Sequence, residues 1–111
     1  MTEKTRSGVP GTILHHSPAS SGRYVGCPSI VVLASGKLLA AHSHFGPKST
    51  QSDSFIYISS DKGASWARIA TLKGQIWSKL FLFEDQLYIF GTDQCDRVGD
   101  RLNGGLVIRR S

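Results

Sequence analysis

The chain states one pattern twice. The stretch "PSIVVLASGKLLAAHSH" (28–44) returns as "WSKLFLFEDQLYIFGTD" (77–93). Ser78 answers Ser29, Leu80 answers Val31, Leu82 answers Leu33 and Leu87 answers Leu38, with the turn "EDQ" where "SGK" stood. Each copy consists of short segments rich in β-branched and aromatic residues, bounded by turn residues, which is the signature of strands. "SIVVLA" (29–34) is an unbroken apolar run suited to a strand covered on both faces, and "KLLAAH" is its hairpin partner. "FGPKSTQSD" reads as a loop. "SFIYIS" (54–59) alternates, which sets Phe55 and Tyr57 opposite Ile56 and Ile58, and "ARIATL" (67–72) alternates again. In the second copy "QCDRVGDRLNG" reads as a loop and "GLVIRRS" as a strand, with Ser111 falling where Ser59 falls in the first. No window of ten residues presents a helical face. The chain reads as all-β.

A period of about four short strands is that of a β-propeller blade. At 111 residues, the chain has room for one full four-stranded blade and part of a second. Residues 1–24 form an N-terminal segment whose "TILHH" reads as a ring-closing strand; 25–72 form the first blade; 73–111 form the partial second. Propellers close over about four to eight blades. Two blades leave apolar faces uncovered, so the remaining blades are expected from a longer chain or from other chains. The stop at "IRRS", within a repeat, points to the longer chain.

Composition excludes several classes. The net charge is +5, but the basic residues are scattered and only Arg109 and Arg110 adjoin, whereas nucleic-acid binding calls for a clustered basic stripe. No apolar run approaches the roughly 20 residues that span a bilayer. "MTEKTRSGVPGT" lacks the apolar segment of a secretory signal, so the chain as written is expected to be cytoplasmic. No nucleic-acid or membrane partner is expected. Cys27 and Cys95 have no zinc-ligand spacing; Cys27 reads as a buried thiol, with a disulfide between the two left open.

One loop carries more information than the rest. In "SSDKGASW" (59–66), Asp61 can accept hydrogen bonds from its own loop, Gly63 supplies a positive φ, Ser65 ties the turn and Trp66 covers a strand. These roles fix a hairpin and need no substrate. Ser59, Asp61, Gly63, Ser65 and Trp66 match the Asp-box, S/T-x-D-x-G-x-T/S-W, and the stretch from Gly22 to Ser111 resembles the sialidase (BNR-repeat) superfamily of β-propellers. The resemblance implies a six-bladed ring when complete and a carbohydrate or glycoconjugate ligand. It also implies a glycoside-hydrolase-like activity, with a non-catalytic glycan- or protein-binding platform as the alternative. Sialidases open their first blade with F/Y-R-I-P. Here Val25, Gly26, Cys27 and Pro28 stand at those positions, so the carboxylate-binding Arg is missing, and Asp53 is the sole carboxylate in the loop that follows.

The resemblance also locates a site, on the ring face opposite the Asp-box. Arg23, Tyr24, His44, Gln75, Trp77, Asp93 and Arg97 are the expected substrate-binding residues, with Lys48 and Asp96 near them, and His42 the expected catalytic acid or base. Trp77 is aligned with Pro28. No metal is expected, because His42 and His44 lack a third ligand and Asp93, Asp96 and Asp100 lack the spacing of a calcium loop. No cofactor is implied.

Overall fold

Short alternating strands satisfy their backbone only by pairing, and bury their apolar side only against a second layer. The computed structural model describes residues 11–48, 53–98 and 101–111, with the backbone alone for 94–98 and 101–104. A 3₁₀ turn, Ala19–Ser21, is followed by seven strands: β1 (Tyr24–Val32), β2 (Leu38–Phe45), β3 (Asp53–Ser59), β4 (Ala67–Lys73), β5 (Gln75–Phe83), β6 (Gln86–Val98) and β7 (Arg101–Arg110). The chain is all-β. Two antiparallel sheets form, β1-β2-β3-β4 and β5-β6-β7, each a meander in chain order.

Both expected hairpins are present, but the strands run longer than the sequence pattern suggests. Of the segment 94–104, read as a loop, residues 94–98 and 101–104 instead extend β6 and β7, with Asp96 paired to Asn103 and Val98 to Arg101. A two-stranded ribbon satisfies its backbone without burying a face, so polar residues do not end it. Residues 11–18 carry no strand; a strand there needs a neighbouring edge to pair with.

The repeat aligns differently in space. Both first strands carry a ladder irregularity, at Gly26/Ser29 in β1 and Ile76/Lys79 in β5. Within it, Cys27 and Trp77 share the same left-handed φ of 56°. Trp77 therefore takes the place of Cys27, not of Pro28, and Leu80 takes that of Ile30, not of Val31. The connection between β5 and β6 is one residue shorter, so β6 resumes the expected alignment: Val32 pairs with Leu38 as Leu82 pairs with Leu87. Further along, Ile89 stands at the place of Ala40 and Gly91 at that of His42.

The core lies between the sheets. Leu39 and Ala41 of the first pack with Leu80 and Ile89 of the second, ringed by Val31, Ile56, Ile58 and Leu87. A polar seam runs beside it. Ser29 Oγ accepts from Leu80 N (2.8 Å), and Ser43 Oγ accepts from Trp77 N (3.1 Å). Ser54 Oγ donates to Gln75 O (2.7 Å), so its 2.7 Å contact with Ser78 Oγ takes the Ser78 proton. Gln75 Nε2 donates to Ser78 Oγ (3.0 Å) and Gln75 Oε1 accepts from Arg109 Nε (2.6 Å). The seam is closed: among the described residues no buried side-chain polar atom lacks a partner.

The opposite, outer face of the first sheet is uncovered along β1. Ile30 and Val32 are 60% and 61% exposed, so the run expected to be buried on both faces is buried on one. Cys27, expected to be buried, is a half-buried free thiol.

Gly91 sits against the seam. A Cβ there would lie 2.6 Å from Ser78 Oγ, 2.9 Å from Gln75 Nε2 and 3.0 Å from Ile76 O. Gly91→Ala should lower stability by about 1–3 kcal/mol, the usual cost of overpacking. Urea denaturation of the variant checks this; an unchanged midpoint would mean that β5 and β6 are not packed this closely beside the seam.

Candidate functional site

Antiparallel meanders gather alternate turns at opposite ends. The Asp-box turn joins β3 to β4 at one end. The start of β1, the end of β2, the start of β3 and the start of β5 meet at the other, which is where the expected site residues fall.

At the Asp-box, Asp61 accepts from Ser59 Oγ (2.8 Å), Ser65 N (2.9 Å) and Ser65 Oγ (2.5 Å). Gly63 N donates to Ser59 Oγ (2.8 Å) and the Trp66 indole donates to Gly63 O (3.1 Å). The bonds from Ser65, then Ser59, hold the Asp61 carboxyl down at about 2. Gly63 has φ 92°, a conformation that a side chain resists. Every polar atom named here serves the turn.

The opposite end divides the expected residues into two groups. The first is an aromatic row. Phe45 lies between Tyr24, edge-on at 5.5 Å, and Trp77, tilted at 5.1 Å. Tyr24 is 50% exposed and Trp77 44%. The left-handed backbone at Trp77, pinned by its N–H to Ser43 Oγ, sets its ring beside Phe45. Phe45 was not among the expected site residues; its sequence signal is an aromatic residue directly before the chain-turning Gly46-Pro47. Arg23 precedes this row in the chain and is exposed, its backbone held by Ser17 and Ser21 and its charge acting on His44. Asp93 pairs with Gln75 in the ladder. Gln75 itself is fully buried and engaged in the seam, which removes it from any lining. The side chain of Arg97 lies outside the described residues.

The second group is a histidine cluster on the outer face of the first sheet. His15 from the N-terminal segment stacks on His42 at 5.0 Å and meets His44 through Nε2···Nε2 at 3.3 Å. His42 also stacks on Tyr57 and Phe55, each at 5.4 Å. Arg68 lies 5.3 Å over the Phe55 ring. His42 Nδ1 points at Ser43 O (3.4 Å). A carbonyl can only accept, so the neutral ring carries its proton on Nδ1 and Nε2 accepts from Tyr57 OH at 3.1 Å. Both nitrogens are occupied. Burial pushes His42 down to about 4, and it lowers His15 and His44 as well. His42 is therefore a neutral hydrogen-bonded residue near pH 7, without the titration expected of a general acid or base. Among the described residues no group of three or more His, Cys, Asp or Glu side chains is arranged to hold a metal ion.

A groove of about 940 Å³ follows this outer face, with Thr12–His15 on one wall, Ile30 and His42 along the sheet, and Lys62 and Trp66 at the Asp-box end. No helix among the described residues is long and apolar enough to cross a membrane. No family model, curated protein or solved structure matches the chain.

The lowered histidine pKa values have a thermodynamic consequence. An unfolded His titrates near 6.5 and folded His42 near 4, so the unfolded state binds more protons between these values. Stability is then full above about pH 6.5 and declines as pH falls toward 4. Denaturation midpoints measured across this range should fall on acidification, and His42→Gln should flatten the decline; a midpoint independent of pH would contradict the burial of the cluster.

Proposed function

We propose that the chain is a pair of adjacent blades of a sialidase-like β-propeller, and that its strand-end face opposite the Asp-box binds carbohydrate. The observation that carries this reading is the exposed row Tyr24–Phe45–Trp77. Its rings offer flat apolar surfaces to the C–H faces of a sugar, and the exposed Arg23 at the same strand ends is a source of donors to hydroxyls or a carboxylate. The repeated ladder irregularity and the serine-tied Asp-box support the propeller reading.

Binding is favoured over hydrolysis. Glycosidases work with two carboxyl groups flanking the scissile bond. Among the described residues two carboxylates, Asp53 and Asp93, lie at this end, and Asp53 Oδ1 is engaged by Gly74 N at 3.1 Å. His42 is neutral and has both nitrogens bonded. The missing Arg at Gly26 points the same way.

Calorimetric titration with sialyllactose and with lactose tests the reading. Trp77→Ala should weaken binding by about tenfold, or roughly 1.4 kcal/mol, with the circular dichroism spectrum unchanged. His42→Gln, away from the row, should leave affinity nearly as it was. Release of free sugar from sialyllactose would restore the hydrolase reading. No binding of either sugar, or binding indifferent to Trp77→Ala, would remove this face from consideration.

A further inference from the structure

The contact between the two sheets uses one face of each, and the face left over on each is the counterpart of the one used by the other. In the second sheet, Leu80 and Ile89 face the core. Their counterparts in the first sheet, Ile30 and Ala40, lie on its outer face, along the groove. Conversely, Leu39 and Ala41 supply the first sheet's side of the core. Their counterparts Tyr88 and Phe90 lie on the outer face of the second sheet, where Tyr88 stacks on Phe81 at 5.1 Å. The molecule thus carries a free head and a free tail of the same kind of contact.

The open part of each face is apolar. On the head, Ile30 and Val32 are 60% and 61% exposed; on the tail, Phe83, Phe90 and Ile108 are 60%, 40% and 56% exposed. Contiguous exposed apolar surface of this kind marks an association surface. Among the described residues the head is open only along β1: His15 stacks over β2 and β3, where Ala40, His42, Phe55 and Tyr57 are buried, while Ile30 and Val32 stay open.

We propose that a second copy of this chain seats its first sheet, through Ile30 and Val32, on the Phe81–Phe83–Phe90 face of the second sheet. This inference rests on packing alone and does not depend on sugar binding. The contact is head-to-tail, so it continues until a ring closes or a filament grows. About two to four copies would bring together the four to eight sheets over which such rings close. Only part of the serine seam has an equivalent between copies: Thr92 keeps a hydroxyl where Ser43 stands, whereas Lys79 and Leu106 replace Ser29 and Ser54. The contact between copies therefore rests mainly on apolar burial with fewer directional bonds, and it is weaker than the internal one.

The test uses two variants of the full chain, one with a blocked head (Ile30→Asp with Val32→Asp) and one with a blocked tail (Phe83→Glu with Phe90→Glu). All four residues are at least 40% exposed, so the charges remain solvated and the fold is kept, which circular dichroism verifies. In sedimentation velocity the unaltered chain should gain mass with concentration. Each blocked variant alone should remain at 12.1 kDa. Their equimolar mixture should reach twice the monomer mass and stop, since only one head and one tail remain free. Three results would overturn the proposal. An unaltered chain that is monomeric throughout would leave both faces to sheets of a longer polypeptide. A blocked variant that still associates alone would mean a head-to-head or tail-to-tail contact. A mixture that stays monomeric would mean that head and tail do not recognise each other.

Discussion

Everything positioned in this molecule depends on how β5 is held against the first sheet. Apolar burial draws the sheets together without direction, and Leu39, Ala41, Leu80 and Ile89 would tolerate more than one alignment. Hydroxyls from three different strands remove that freedom. Ser29 of β1, Ser43 of β2 and Ser54 of β3 each bind a β5 backbone atom, at Leu80, Trp77 and Gln75 respectively. Edge-strand backbone groups that would otherwise be stranded beside an apolar core are satisfied in the same contacts. Gln75, Ser78 and Arg109 complete the circuit and tie β7 into it.

The exposed aromatic row follows from this constraint. A bulky residue at φ 56° costs on the order of 1–3 kcal/mol, and the Ser43 bond to the Trp77 amide helps hold it there. The result is a ring at the strand ends, in line with Phe45 and Tyr24. Cys27 has the same backbone in β1 but carries only a small thiol. One backbone device thus occurs twice, and the side chain decides which copy presents an exposed ring.

Equivalent positions also part ways on the faces. Gly91 of β6 leaves room for the Ser78 and Gln75 side chains of the neighbouring β5, which turn into the seam. At the same place in the first sheet, His42 fills open space with a ring and bonds Tyr57 and Ser43. Burial among His15, His44 and Phe55 then keeps it neutral. The histidines that suggest proton chemistry in sequence act in the fold as a polar stack along an outer face.

The strands, their alternation and the Asp-box roles were legible in the sequence, because each depends on neighbours a few residues away: period-two patterning, φ-permissive Gly63, and Asp61 with hydroxyls two and four positions off. The list of site residues was legible only as a set of strand ends. Phe45 was missing from it, Gln75 belonged to the seam, and Trp77 was assigned one place too late. The shorter β5–β6 connection hides that last shift, since a one-residue offset looks the same in a string of apolar letters. Tertiary structure alone decided which serines bind β5, which face of "SIVVLA" stays uncovered and whether His42 can hold a proton. Those outcomes depend on the distance between groups far apart in the chain, and on the water that the second sheet excludes or leaves in place. Local sequence encodes neither.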